Sequence, residues 1–162
     1  MTLPATLRAA TMNDVEAVAE VWHRAWIDGH AGHVPEALLP HRTLEHFRRR
    51  VPPRIPSTTV AAVGSRVVGF VTVRDDEVNQ LFVAEAARGT SIATALLRHA
   101  EGVIALRAGV AWLAVADGNA RARRFYERQG WQDVAAIDYQ ADIEGGTIPV
   151  PCRRYERVLR AG

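Results

Sequence analysis

The sequence predicts a mixed α/β domain, with a mostly antiparallel sheet of about six or seven strands flanked by about four helices. Short β-branched runs separated by turn residues follow one another between residues 58 and 83. The apolar spacing then changes to a helical period over residues 89 to 107. Another apolar strand follows, so Glu77 to Ala116 has the strand–helix–strand order that produces a parallel crossover.

A short strand and an amphipathic helix are expected first. Leu7 to Ala9 has the character of a strand, and Asn13 and Glu16 have the spacing of a capping box. The helix that they open is expected to end near Trp26. Trp22 and Trp26 share one face of this helix, so both are expected in the core, with Trp26 close to the following loop.

A loop, a short helix and three strands come next. Asp28 to Pro40, with its glycines and prolines, predicts a loop or a broken helix. Thr43 can cap a helix that the prolines after Arg50 end. The strands are expected as an antiparallel series over Thr58 to Val63, Arg66 to Arg74 and Glu77 to Val83.

The last elements are a long helix, a strand, a second helix and a closing pair of strands. The long helix is expected at about Gly89 to Arg107, and the strand at Ala111 to Ala116. The second helix is expected from Asn119 to just before Gly130, and the closing strands at Trp131 to Ala141 and at Cys152 to Leu159.

The composition favours one ordinary globular domain over residues 1–162. The chain has a mass of 17.8 kDa, 48% hydrophobic and 23% charged residues, which excludes a disordered tail or a coiled coil. No apolar run reaches the roughly 20 residues of a membrane span, and Met1 to Arg8 has no signal-peptide pattern. Cys152 is the only cysteine, which excludes an intramolecular disulfide and a cysteine-rich zinc site. A cytoplasmic location is the expectation.

The charge pattern favours a small anionic ligand over nucleic acid. The 20 basic residues are all arginine, yet the formal net charge is only +2. They are spread along the chain, apart from Arg48 to Arg50 and Arg121 to Arg124, so nucleic acid is not expected as the main partner and stays a minor alternative. No His and Glu residues have the spacing of a helical metal site, so no metal is expected.

One segment predicts a site for a diphosphate. The strand Leu81 to Val83 leads into a turn of small residues that opens a helix, where backbone amides and the helix N-terminus attract an anion. Arg88 adds a formal charge. The residues of this turn are Arg88, Gly89, Thr90, Ser91, Ile92 and Ala93. An ordinary strand-to-helix turn with a Ser or Thr cap is the alternative.

A second segment gives the chain a family resemblance. Asn119, Ala122, Phe125-Tyr126-Glu127 and Gly130-Trp131 fit the pattern N-x-x-A-x-x-F-Y-E-x-x-G-F/W in full. Arg88 and Ala93 fit the earlier pattern R/Q-x-x-G-x-G/A, in which Ser91 replaces a glycine. With both patterns in this order of elements, the chain resembles the GCN5-related N-acetyltransferase (GNAT) superfamily over nearly its whole length.

The resemblance implies a sheet that splays apart between its fourth and fifth strands and binds acetyl-CoA in the gap. The pantetheine arm would pair with the backbone of Phe82 and Val83, and the diphosphate would lie at residues 88–93. Asn119 would lie near the pantetheine, and it equally suits a plain helix cap. If the backbone of Ser91 needed a positive φ, the serine would be strained, so we expect a right-handed conformation there.

The resemblance also implies direct acetyl transfer to a primary amine. Tyr126 occupies the position of the family's general acid to the thiolate, with core packing as the alternative; we expect Phe125 to pack inward and Tyr126 to face the cleft. Glu77, at the start of the fourth strand, is a candidate base, with a solvated turn carboxylate as the alternative.

Histidines near the first helix are further candidates for the base, because histidine titrates near neutral pH. These are His23, His30 and His33. Trp26, His30 and His33 are the candidate substrate contacts, and the stretch from Asp28 to Pro40 is the candidate substrate lid.

Two functions from different classes follow. The first is acetyl-CoA-dependent N-acetylation of a small-molecule or peptide amine, and the second is a non-catalytic acyl-CoA-binding sensor or interaction module. Dimers are common in the family, so a homodimer stays open, as does the identity of the acceptor.

Overall fold

The computed structural model describes residues 4–30 and 32–159, which form one seven-stranded sheet with helices on both faces. The strands are β1 (Thr6–Ala9), β2 (Thr58–Val63), β3 (Arg66–Arg74), β4 (Glu77–Val83), β5 (Val110–Ala116), β6 (Gln132–Ile143) and β7 (Gly146–Val158). The α-helices are α1 (Val15–His30), α2 (Leu44–Arg50), α3 (Ile92–Ala105) and α4 (Ala120–Arg128). The predicted mixed α/β class is confirmed.

The sheet is antiparallel except at its centre. Its strand order is β1-β2-β3-β4-β5-β7-β6, and only β4 and β5 run parallel. These two strands share a single register pair, Glu77 with Trp112, whereas β5 pairs with β7 along its whole length. Beyond Glu77 the facing edge of β4 therefore has no strand partner, and the predicted splay between the fourth and fifth strands is confirmed.

Each face of the sheet carries its own apolar core. The α3 side chains Leu96, Leu97 and Ile104 are fully buried against one face. Trp22 of α1 packs against Phe47 of α2 and Phe70 of β3 on the other face. Trp22 and Trp26 are 1% and 6% exposed, so both lie in the core as expected. The helices on both faces leave the open edge between β4 and β5 as the place where the sheet is accessible.

The first helix differs from its predicted bounds. A capping box forms between Thr11 and Asp14, not between Asn13 and Glu16, and a short 3-10 turn at Met12–Asp14 leads into α1. The helix continues to His30, beyond the predicted end at Trp26, because Gly29 is buried against the side chain of Asn119.

The segment predicted as a loop is partly helical. Its first residues belong to α1, and a 3-10 helix covers Glu36–His41. Ala31, which belongs to the predicted lid, lies outside the described residues. Residues 1–3, for which no signal-peptide pattern is expected, also lie outside them. Thr43 caps α2 as expected, but the prolines after Arg50 form a 3-10 helix, Pro52–Ser57, and do not simply end the structure. In the described part of the chain, no helix is long and apolar enough to cross a membrane.

Acid should weaken the start of α1. The Asp14 carboxylate is 6% exposed, accepts hydrogen bonds from Arg8 at 2.8 and 2.9 Å and from the Thr11 amide, and its pKa is lowered to about 2, chiefly by Arg8. Its stabilising contribution is present above the unfolded pKa near ~3.9 and is lost as pH falls toward the folded value. We expect Asp14→Asn to lower the free energy of unfolding by about 1–2 kcal/mol at pH 7, but much less near pH 2. Urea titrations at both pH values measure this, and equal losses at both would contradict it.

Candidate active site

A cavity of about 470 Å³ opens on one side of the gap between β4 and β5. We call it the α4 cavity. It is lined by the end of β4, by the turn before α3, by α4 and by two small residues of α1. Of the residues predicted to bind the cofactor, seven line it: Phe82, Val83, Arg88, Gly89, Thr90, Ala93 and Asn119. Ser91 and Ile92 do not line it.

The turn before α3 derives its shape from Gly89 and Thr90. Gly89 has a φ of +75°, in the left-handed region. The Thr90 hydroxyl donates to the Ala87 carbonyl and accepts from the Ile92 amide, so Thr90 and not Ser91 supports the helix start. Ser91 has φ −81° and ψ 4°, which lies in the bridge region and not in the expected right-handed helical region, but its φ is negative. The replacement of the motif glycine therefore introduces no backbone strain.

The charges around the α4 cavity suit an anion. Three arginines line it, Arg88, Arg121 and Arg128, and no carboxylate is among the described lining residues. Arg88 forms an ion pair of 2.8 Å with Asp28 at the end of α1. Because Asp28 is partly exposed, an incoming anion can compete with it for the Arg88 guanidinium.

The α4 residues divide between capping and the cavity wall. Asn119 is the helix N-cap, and its side-chain oxygen accepts from the Ala122 amide at 3.2 Å, while the same residue lines the cavity. Tyr126 and Phe125 both line the cavity, but Tyr126 is 9% exposed and packs against Trp131 and Tyr155. Tyr126 therefore borders the cleft, as expected of it. Phe125 does not pack further inward than Tyr126, because it lines the same cavity and is the less buried ring. Burial raises the pKa of Tyr126, so its hydroxyl is protonated at neutral pH.

A second, smaller cavity of about 90 Å³ lies on the other side of the same strands. We call it the α2 cavity, because Arg50 of α2 and its flanking residues Arg42 and Arg54 line it together with β4, β6 and α1. Neighbouring residues of β4 and α1 alternate between the two cavities. Gln80, Trp26 and His30 line the α2 cavity, and Leu81, Ala25 and Gly29 line the α4 cavity. The cavities therefore lie back to back across one thin wall.

A β-bulge disturbs β4 beside the α2 cavity. The register with β3 shifts between Thr72 and Val73, so that Asn79 has no opposite residue. Asn79 itself lines the α2 cavity. Bulges frequently occur beside active sites, where they redirect backbone groups. The bulge and the unpartnered edge toward β5 together leave β4 with backbone donors and acceptors available to a ligand.

Glu77 lies in the wall of the α2 cavity and is 3% exposed. The Arg74 guanidinium donates to its Oε1 at 3.0 Å, and the Tyr139 hydroxyl donates to its Oε2 at 2.8 Å. The alternative of a solvated turn carboxylate is therefore wrong. The predicted base is instead a buried, oriented carboxylate at the point where β4 and β5 begin to separate.

The three candidate histidines lie in different places. His30 lines the α2 cavity, stacks on Trp26 with ring centroids 5.5 Å apart, and lies 5.9 Å from the Phe82 ring. Burial lowers the pKa of His30 to about 4, so the imidazole is neutral at pH 7. His23 packs against Phe47 of α2, outside both cavities. His33 is exposed beside Gly118 and lines neither cavity, so the structure does not bring it to the predicted substrate contacts.

Comparison with known proteins decides the family. The model of the acetyltransferase (GNAT) family matches residues 15–131, which span β2 to β5, the turn before α3 and the whole of α4. The chain belongs to the GNAT family. The resemblance inferred from Asn119 to Trp131 is therefore confirmed.

Solved GNAT structures share the fold of this domain. A GCN5-related N-acetyltransferase from Rhodopseudomonas palustris has a TM-score of 0.74 at 18% identity, covering 98% of each chain. PaiA N-acetyltransferase from Thermoplasma acidophilum, solved with coenzyme A, has a TM-score of 0.69 at 19% identity, covering 96% of this chain and 99% of that one. Ard1 from Thermoplasma volcanium gives 0.68 at 20% identity, covering 97% and 99%. No curated protein sequence matches the chain.

Sequence reasoning missed most of this GNAT domain's α2 cavity. From the sequence, Arg42 and Arg54 are scattered charges and Arg50 is only part of the run Arg48 to Arg50, although Arg50 follows the core residue Phe47 by three positions on α2. That spacing places Arg50 near the buried face of the helix and was an available signal. Tyr139 and Asp142 come from β6, and no local pattern connects them to β4.

A side chain at Gly89, in the turn beside the α4 cavity of this GNAT domain, should lower the stability of the fold. Gly89→Ala is expected to lower the free energy of unfolding by about 1–2 kcal/mol, because an L side chain is strained in the left-handed region. Gly102→Ala is the matched control: Gly102 lies in the exposed interior of α3 with open space around it, so alanine should stabilise by up to about 1 kcal/mol. Urea denaturation measures both, and a Gly89→Ala variant as stable as wild type would contradict the strain.

Proposed function

We propose that this GNAT domain, over residues 1–162, is an acetyl-CoA-dependent N-acetyltransferase that moves the acetyl group directly to a primary amine. The observation that carries the proposal is the opening between β4 and β5, with the α4 cavity on one side and the α2 cavity on the other. Such an arrangement lets an acyl donor and an amine approach one another through a shared gap.

The α4 cavity supports binding of acetyl-CoA. Its small-residue turn at Gly89 and Thr90 and its three arginines suit a diphosphate at the N-terminus of α3. The unpartnered edge of β4 at Phe82 and Val83 offers backbone groups to the pantetheine amides. The acetyl thioester is the acyl donor that coenzyme A supplies when it is bound.

Tyr126 is the proposed general acid in the α4 cavity. The residue lines the cavity, and its raised pKa keeps the proton on the hydroxyl oxygen at neutral pH. A protonated phenol can donate to a thiolate that departs from the thioester. The chain's cysteine does not compete with direct transfer, because burial raises the pKa of Cys152 to about 12 and keeps the thiol protonated.

Glu77 is the proposed base in the α2 cavity, acting on the amine directly or through a water molecule. Arg74 and Tyr139 hold its carboxylate in one orientation. Oε1 already accepts two hydrogen bonds from Arg74, whereas Oε2 accepts one from Tyr139 and retains capacity for a further one. His30 lines the same cavity and is neutral at pH 7, so it is the second candidate. Its low pKa makes it a weaker base than an unperturbed imidazole.

A thiol-release assay tests the proposal. Acetyl-CoA is incubated with the purified protein and a panel of small amines and peptides, and free CoA is followed with a thiol reagent. Amine-dependent release, with the N-acetylated product seen by mass spectrometry, is the expected result. Acetyl-CoA binding without release for any amine would contradict catalysis and favour the non-catalytic acyl-CoA-binding module.

A further inference from the structure

The α2 cavity contains every buried side-chain nitrogen or oxygen that lacks a hydrogen-bond partner among the described residues. These atoms are Trp22 Nε1, His30 Nδ1 and Arg50 Nε, and all three residues line this cavity. The indole and guanidinium nitrogens are obligatory donors. Buried donors are nearly always satisfied in folded proteins, so a cluster of unsatisfied ones beside a cavity indicates a missing acceptor.

The formal charges of this cavity indicate that the acceptor is an anion. Arg42 is 5% exposed, and its guanidinium donates to the His41 carbonyl. Arg50 stacks on the Trp22 ring, with its guanidinium carbon 4.4 Å from the ring centroid. Neither arginine has a carboxylate within ion-pair distance among the described residues. An uncompensated buried charge is costly, so the buried Arg42 beside the half-buried Arg50 favours a counter-ion in this cavity.

The carboxylates of the cavity are already engaged. Glu77 is held by Arg74 and Tyr139. Asp142 is about half exposed and forms only a 3.5 Å pair with Arg54, the third arginine of the cluster. Burial, together with repulsion from Arg42 and Arg54, lowers the pKa of Arg50 to about 9, which still leaves it charged at neutral pH.

We propose that Arg42, Arg50 and Arg54 bind an oxyanionic group, carboxylate or phosphoryl, carried by the amine acceptor itself. The inference rests on the proposed N-acetyltransferase function and names its substrate class: a small amine with an acidic group. Guanidinium forks suit carboxylate and phosphoryl oxygens in paired hydrogen bonds. The small volume of the cavity, about 90 Å³, favours a compact acceptor over a protein side chain on a folded surface.

Matched acceptors test the inference in the wild-type protein. β-Alanine and 2-aminoethylphosphonate carry the two oxyanions, and propylamine is the analogue without an acidic group. We expect kcat/KM for CoA release to be about 100-fold higher with at least one anionic amine than with propylamine. Preference for one of the two identifies the oxyanion as carboxylate or phosphoryl. Equal or better use of propylamine would overturn the inference while leaving the proposed function intact.

Variants of single arginines test which residues bind the oxyanion of the acceptor. Arg50→Met and Arg42→Met are each expected to lower the ratio of kcat/KM for the preferred anionic amine to kcat/KM for propylamine about 100-fold. Arg49→Met is the matched control, because Arg49 lies on the same helix but is exposed and pairs with Glu45 and Glu144. A loss with Arg49→Met equal to that with Arg50→Met would overturn the assignment.

A binding measurement separates this inference from the proposed function. Because Arg50 lies against Trp22, tryptophan fluorescence can be titrated with the same three amines in the absence of acetyl-CoA. A saturable response to an anionic amine, absent with propylamine, supports the oxyanion site even if no CoA is released. No response to either anionic amine, together with active transfer to propylamine, overturns it. If Arg50→Met does not fold, the wild-type titrations decide alone.

Discussion

Replacing Glu77 with Gln is expected to lower kcat for acetyl transfer by about 100-fold or more, which is the usual contribution of a positioned base. Glutamine has the same shape and can still accept the hydrogen bond that the Tyr139 hydroxyl donates to Oε2 at 2.8 Å. It cannot take a proton from the amine. The affinity for acetyl-CoA should change little, because Glu77 lines the α2 cavity and not the α4 cavity.

Asp75→Asn is the matched control for the loss of a carboxylate. Asp75 lies in the exposed turn two residues before Glu77, and its φ of 56° is a conformation that asparagine also adopts. We expect its kcat to equal that of wild type. Steady-state kinetics, with the melting temperature of each variant, separate catalysis from folding. Wild-type turnover in Glu77→Gln would remove Glu77 from the mechanism and make His30→Gln the next variant to measure.

Tyr126→Phe is expected to lower turnover at least about tenfold, with acetyl-CoA affinity nearly unchanged. The phenyl ring keeps the packing against Trp131 and Tyr155, so the variant removes only the hydroxyl. Since burial raises the pKa of Tyr126, the wild-type hydroxyl remains a proton donor across the neutral range. The leaving thiolate would lose that donor in the variant.

Tyr155→Phe controls for the removal of a buried phenol. Tyr155 lies in the same core, but its hydroxyl accepts from Arg123 Nε at 3.3 Å and the residue does not line the α4 cavity. The Tyr155→Phe variant should be less stable than wild type but should have the same turnover per folded molecule. Pre-steady-state measurement of CoA release compares the chemical step in both variants. Equal rates for Tyr126→Phe and wild type would assign Tyr126 to the core alone.

The strands around the open edge were predictable because local chemistry sets their ends. β2, β3 and β4 match their predicted bounds, since Gly64-Ser65 and Asp75-Asp76 terminate the runs as turns. The end of α1 was not predictable in the same way. Gly29 indicates a helix end when it is considered alone, but here it allows the helix to pass close to Asn119, from a segment 90 residues away.

More of the α4 cavity than of the α2 cavity could be predicted from the sequence. The α4 cavity is built largely from two continuous segments, 81–94 and 119–129, so motif spacing alone located most of it. The α2 cavity gathers residues from α1, α2, β4, β6 and β7. Its arginine cluster becomes visible only after long-range packing places Arg42 and Arg50 beside β6, because an arginine in sequence gives no sign of the residues that surround it.

Calorimetric titration with acetyl-CoA, with free CoA as control, tests the central claim most directly. We expect one site per chain, with micromolar affinity and with the acetyl form distinguished from free CoA. Arg88→Met should weaken binding of both, because Arg88 lines the cavity beside the α3 N-terminus. An absence of binding at millimolar acetyl-CoA by the folded protein would contradict the assignment of the gap between β4 and β5 as an acetyl-transfer site.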